Sequence, residues 1–179
     1  MVELVISIFI ITIFSLIVIV NFPSILRSFA ISRATYKLAQ DLRKAQDLGL
    51  SGVLVNDISG NPIPPPKGGY GIYVNSLTGN NKKYTLYADT YPASAPFDYA
   101  YDEGEDSIVE NINIEQGVSI KSVGNESSAS INFTPPNPLT TISSLQNGDT
   151  GINIVLVSDS DPALTRTVYV NKAGLIEIK

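Results

Sequence analysis

The chain has 179 residues, no cysteine, no histidine and a net charge of −5. These absences exclude a disulfide framework and a thiolate metal site, and they remove the commonest general base and metal ligand. Residues 1–50 carry a net charge of +2, five cations against three acids, which leaves −7 for residues 51–179. Because so acidic a region repels phosphate, we expect no general nucleic-acid binding by it.

A long apolar run opens the chain. The segment from Leu4 to Phe22 carries no charged residue, and as a helix it would span roughly 28 Å, close to the thickness of a hydrocarbon core of about 30 Å. Its small polar members can bond back to the helix backbone; they are Ser7, Thr12, Ser15 and Asn21. A signal peptide has a basic stretch before such a run and a cleavage site after it, and both are missing. The sequence therefore predicts a membrane-spanning helix that stays attached.

Two residues of this helix are candidate functional positions. Glu3 places a carboxylate at the edge of the apolar run, where the charge is costly unless it finds a partner or reaches the interface. The alternative is an acid at headgroup level that only complements the helix dipole. Pro23 removes one backbone donor and predicts a kink, with a simple helix break at the membrane surface as the alternative.

The pattern from Ser24 onward predicts that the helix resumes with one apolar stripe, which needs a sheet to cover it. The stripe consists of Ile31, Ala34, Leu38, Leu42, Ala45 and Leu48. Gly49 is the expected carboxy-terminal cap. Lys37 with Asp41, and Arg43 with Asp47, stand four residues apart and predict weak ion pairs on a solvated face rather than a binding surface.

The period of the pattern changes after Gly52, where short β-rich runs alternate with turn sequences. The runs are Val53–Asn56, Tyr70–Asn75, Tyr84–Ala88, Ile108–Ile114, Val118–Val123, Ile131–Thr134, Ile152–Val157, Thr167–Val170 and Leu175–Ile178. Two long stretches, Asp89–Asp106 and Pro135–Gly148, are predicted to be irregular. We expect an α+β fold with two parts: an amino-terminal transmembrane and assembly helix over residues 1–50, and a mainly antiparallel β-sheet head over residues 51–179.

The head contains few residues that suggest a metal or cofactor site. Acidic residues crowd one loop and could hold calcium, although the spacing of an EF-hand is absent and a solvated loop is the commoner explanation; they are Asp98, Asp102, Glu103, Glu105 and Asp106. Asp159 and Asp161 form a weaker candidate of the same kind. We expect no other metal and no cofactor.

Catalytic motifs are also missing. The sequence contains no Gly-x-Ser-x-Gly elbow and no phosphate loop, so we expect that the protein is not an enzyme. Asn125-Glu-Ser and Asn132-Phe-Thr fit the acceptor pattern for N-glycosylation, a pattern that recurs by chance.

Three short stretches resemble one family. Met-Val-Glu-Leu-Val-Ile-Ser-Ile at the start resembles the amino terminus of type IV pilins and type II secretion pseudopilins, with Glu3 at the position of the family's glutamate. The stretch 41–47, Asp-Leu-Arg-Lys-Ala-Gln-Asp, resembles a segment of the GspH/FimT-like minor pilins and pseudopilins, and residues 166–178 resemble their final arginine-to-glycine hairpin. The family's Phe-Thr pair and charged leader are not in this sequence, so we expect it to be a shortened mature form.

The resemblance implies a pilin-like fold and a structural subunit of a type IV pilus or a type II secretion pseudopilus. It also implies processing by a prepilin peptidase, a single pass through the inner membrane with an extracytoplasmic head, and assembly with other pilin or pseudopilin subunits into an extracellular or periplasmic filament. In the family the glutamate, here Glu3, is thought to pair with the free amine of a neighbouring subunit. The alternative is a membrane-anchored extracytoplasmic binding domain, an adhesin or ligand receptor whose helix only tethers it.

Overall fold

The computed structural model describes residues 2–63, 66–90, 99–135, 139–146 and 148–179. One helix, α1, runs from Val2 to Ser51, and the remainder is β structure. The strands are β1 Val55–Asn56, β2 Pro62–Ile63, β3 Tyr70–Asn75, β4 Lys83–Ala88, β5 Ser107–Asn113, β6 Val118–Val123, β7 Ser128–Thr134, β8 Leu139–Ile142, β9 Gly151–Ser158, β10 Asp161–Asn171 and β11 Ile176–Ile178.

The strands form two main sheets. One has five strands in the order β5-β4-β3-β7-β8, the other has four in the order β11-β10-β9-β6, and β1 and β2 form a small ribbon. The described strand pairings are antiparallel. The carboxy-terminal half of α1 contacts strands of both sheets, so a single core joins the helix to the head. The predicted α+β fold, a long helix on a mainly antiparallel head, is confirmed.

The core explains why α1 stays helical beyond the apolar run. Ile31, Leu38 and Leu42 have no exposed surface, and they join one cluster with inward-facing residues of both sheets, such as Ile72 and Ile154. Spacings of three and four residues place the predicted stripe on one face of a helix. Full burial of each such aliphatic side chain contributes about 1.5–3 kcal/mol. The stripe is therefore confirmed as the helix side of the core.

The end of α1 corrects one prediction. Gly49 is not the cap, because the helix continues to Ser51 and Gly52 adopts the left-handed conformation, with φ at 58°. The Gly52 N–H donates to the carbonyl of Leu48 at 3.2 Å and so closes the last turn. Gly49 instead permits close packing, since a Cβ atom there would lie 2.5 Å from the carbonyl oxygen of Phe133.

Each of the nine predicted runs overlaps an observed strand, but two observed strands, β2 and β8, were not predicted. β8 lies inside the stretch 135–148 that was predicted to be irregular, and β2 lies between the predicted runs Val53–Asn56 and Tyr70–Asn75. β10 is also longer than expected, because its irregular start between Asp161 and Thr165 accommodates a register shift around Pro162. Edge strands and shifts of this kind depend on the neighbouring strand rather than on local propensity.

Candidate assembly surface

The amino-terminal part of α1 projects away from the head. Its large apolar side chains at residues 2–29, where the structure describes them, are exposed, with values such as 65% for Phe9 and 62% for Phe29. An 18-residue window in this helix has a mean hydropathy of 2.9 and is not buried at all. The helix is thus long and apolar enough to cross a membrane, by length and composition.

Two polar residues of the run, Ser7 and Thr12, bond to the helix itself. The Ser7 hydroxyl donates to the carbonyl of Glu3 at 2.9 Å, and the Thr12 hydroxyl donates to the carbonyl of Ile8 at 2.8 Å. Each hydroxyl therefore satisfies its donor four residues back, as the sequence predicts. The surface that this segment presents to lipid or to another helix is apolar in these two turns as well.

Glu3 lies in the first turn of α1 with its side chain exposed. Among the described residues no cation forms an ion pair with Glu3. The ion pairs of the described residues involve other acids. Met1 lies outside the described residues. A role for Glu3 in assembly stays a prediction.

Pro23 lies inside a continuous helix. The alternative of a helix break at this residue is therefore wrong, because the helix continues through Pro23 to Ser51. A proline in a helix interior removes one hydrogen bond and crowds the preceding turn. The kink at Pro23 stays a prediction.

Ion pairs connect the carboxy-terminal half of α1 to the edge of the five-stranded sheet. Arg33 contacts Glu115 and Lys44 contacts Glu110, both at 2.8 Å. Because these side chains are largely exposed, each pair stabilises the fold by no more than about 1 kcal/mol.

Asp41 has a larger role than the sequence predicts. It forms the expected ion pair with Lys37 at 3.0 Å, and it also accepts a hydrogen bond from the Tyr84 hydroxyl at 2.5 Å. Burial, together with this bond, raises the pKa of Tyr84 well above its usual value. Asp41 therefore joins the helix to β4, a link that the four-residue spacing could not reveal.

The second predicted pair is wrong. Arg43 and Asp47, both described, form no ion pair; Arg43 donates instead to the carbonyl of Ile176 at 3.4 Å. This contact connects α1 to the last strand. The cation therefore binds a backbone oxygen that approaches from the carboxy-terminal hairpin.

The acidic loop is organised by its own backbone. The carboxylate of Asp106 accepts the Thr90 N–H at 3.2 Å and the Asp102 N–H at 3.0 Å. Of the calcium candidates, Asp98 lies outside the described residues, whereas Asp102, Glu103 and Asp106 are described. Nowhere in the described ranges do three acidic side chains come close enough to hold a metal ion. Calcium binding by this loop stays a prediction.

Asp159 and Asp161, the weaker calcium candidate, contact different groups. Asp159 pairs with Lys82 and accepts a bond from the Ser119 hydroxyl at 2.9 Å, while Asp161 accepts the Ala163 N–H at 3.2 Å. Partial burial raises the pKa of Asp159, but the bonds from Lys82 and Ser119 outweigh it and leave this pKa below its usual value. Asp159 therefore links the β9–β10 turn to Lys82, which precedes β4, and to Ser119 of β6.

The two glycosylation patterns have different surroundings. Asn132 is fully buried, and its amide nitrogen lies 3.4 Å from the Tyr87 hydroxyl. A buried side chain cannot accept a glycan in the folded head, so the Asn132 pattern is a chance match. Asn125 lies on the exposed β6–β7 turn.

Comparison with known proteins gives one structural likeness. No protein-family model matches the chain, and no curated protein sequence matches it. The crystal structure of the type IV minor pilin FimU from Pseudomonas aeruginosa (strain PAO1) is 11% identical and covers 83% of this chain and 91% of its own, with a TM-score of 0.44. The present structure has the long helix and the mainly antiparallel head that the sequence resemblance implies.

Proposed function

We propose that this chain is a structural subunit that inserts its helix into a membrane and then packs the same helix against other subunits in a filament. The observation that carries the proposal is the extent of the apolar surface. Leu4–Phe22 already matches the hydrocarbon thickness, yet Ile25, Leu26 and Phe29 beyond it are also about half exposed or more. A tether needs no such surplus, whereas helix packing between subunits would cover it.

The other steps of the proposal rest on the resemblance stated above. The partners would be further pilin or pseudopilin subunits, a prepilin peptidase would process the chain, and the head would lie outside the cytoplasm. The secretion pseudopilus and the type IV pilus are equally compatible with the surface described here. The tethered binding domain is the competing outcome of the assembly tests at Phe29 and Glu3.

Replacing Phe29 by aspartate is expected to block assembly. The change places a charge on the apolar surface beyond the membrane, and burying it between subunits without a partner would cost several kcal/mol. We expect the ratio of filament-bound to membrane-bound protein to fall at least about tenfold, since about 1.4 kcal/mol is a factor of ten. The measurement is quantitative immunoblotting of shear-released filaments and of membranes.

Leu77→Asp is the matched control, because Leu77 is an apolar residue of the head with 54% exposure. It should leave the ratio unchanged. Equal ratios for the parent chain and Phe29→Asp would contradict the proposed packing and favour the tether.

We also propose that the head has no catalytic activity, on the absence of histidine, cysteine and a nucleophile motif in the sequence. Purified protein should show no hydrolase or transferase activity above buffer. An activity that copurifies with the chain and disappears when one head carboxylate is replaced would contradict this.

A further inference from the structure

A groove lies on the face of the five-stranded sheet that points away from α1. Strand alternation produces this face: Ile72 and Val74 enter the core, so Tyr73 between them points outward. We call it the tyrosine groove, and define it by the side chains that surround it. They are Tyr73, Thr85 and Asn111 on three neighbouring strands, Tyr101 and Glu103 on the loop before β5, Asn80 in the β3–β4 turn, and Lys83 at the start of β4.

One wall of the tyrosine groove is built from the loop before β5. The Tyr101 ring lies 4.9 Å from the Tyr73 ring and 5.3 Å from the Tyr87 ring, between ring centroids. The Tyr101 N–H donates to the Ser130 hydroxyl at 2.9 Å. The two backbone bonds accepted by Asp106 fix the same loop. The aromatic wall is therefore in place before any ligand arrives, which lowers the entropic cost of binding.

The polar side chains of the groove keep hydrogen-bonding capacity that the fold does not use. The Thr85 hydroxyl donates to the amide oxygen of Asn111 at 3.0 Å, and this bond does not use the amide nitrogen of Asn111. Among the described residues, Lys83 and Glu103 take part in none of the ion pairs. The groove thus combines an ammonium group, a carboxylate and an amide donor around half-buried tyrosine rings.

We propose that the tyrosine groove binds a neutral saccharide. The apolar face of a pyranose ring packs on tyrosine, and its hydroxyls both accept from Lys83 and Asn111 and donate to Glu103. The two opposite charges cancel within the groove, and the −7 charge of residues 51–179 disfavours a polyanionic ligand. The site goes beyond the proposed function and does not depend on filament assembly.

The test uses the full chain in a zwitterionic detergent, because a glycoside detergent would itself compete for the groove. Saturation-transfer NMR with the methyl glycosides of glucose, galactose, mannose and N-acetylglucosamine should show transfer to the ring protons of at least one of them. Tyr101→Leu, which keeps apolar packing on Tyr73 but removes the ring, should raise the dissociation constant about tenfold or more. Lys83→Met should weaken binding severalfold and leave the fold unchanged.

Two matched variants in the other sheet serve as controls. Tyr169→Leu changes a half-buried tyrosine of β10, and Lys121→Met changes an exposed lysine of β6. Neither should alter binding, and near-ultraviolet circular dichroism checks the fold of all four. The proposal is overturned if no glycoside binds, if binding survives both Tyr101→Leu and Lys83→Met, or if only a peptide or an acidic sugar competes for the groove.

Discussion

A chain that lacks residues 1–26 is expected to remain in solution without detergent, as a folded monomer. The removed segment contributes nothing to the core of the head, because its described side chains are exposed. The retained part of α1 keeps Ile31, Leu38 and Leu42, which are fully buried. Light scattering after size exclusion should give the monomer mass, and circular dichroism should show a cooperative thermal transition. Filaments or insoluble material from this fragment would contradict the assignment of the surface.

The matched fragment starts at residue 51, the boundary between helix and head that the sequence predicts. It should fail to fold, because the inner faces of both sheets lose the helix that covers them. Loss of one such buried aliphatic side chain costs about 2–5 kcal/mol, and a domain has only about 5–15 kcal/mol in total. A cooperative transition in this second fragment would show that the head is a separate domain. The comparison therefore separates the role of residues 1–26 from that of the rest of α1.

The sequence predicts the helix and several strands well because their patterns are local. A spacing of three and four residues identifies the buried stripe from Ile31 to Leu48, and β-branched residues mark β3 and β6 with their observed limits. β8 escapes prediction because Leu-Thr-Thr-Ile becomes a strand only through its pairing with β7. Tertiary pairing decides such short edges, and no local pattern records it.

The contacts between α1 and the head were less predictable for a similar reason. Asp41 and Lys37 are four residues apart, so their pair follows from helix geometry. Tyr84, the second partner of Asp41, is 43 residues distant, and Glu115 is 82 residues from Arg33. Only the register of β4 and β5 against the helix brings these groups together. The tyrosine groove has the same origin, since Ser130 positions Tyr101 from a strand 29 residues away.

Replacing Glu3 by glutamine is expected to leave membrane insertion normal and to impair incorporation into filaments. Glutamine keeps the size and the hydrogen-bonding groups of glutamate but removes the charge. In a bundle of apolar helices an unpaired carboxylate would cost several kcal/mol or take up a proton, and pairing with the terminal amine of a neighbour would offset much of that cost. The pair would also set the register, because only one axial stagger brings the two charges together.

The measurement is the ratio of filament-bound to membrane-bound protein at matched expression, with both chains produced from the native gene so that the amino terminus is the one the cell makes. We expect the ratio for Glu3→Gln to fall about tenfold or more. Glu126→Gln, which removes an exposed acid from the β6–β7 turn, controls for the loss of one negative charge and should leave the ratio unchanged. If the helix only tethers the head, Glu3→Gln should do nothing measurable or slightly ease insertion, because the bilayer favours the neutral side chain. Equal ratios for the parent chain and Glu3→Gln would therefore contradict a role of Glu3 in assembly.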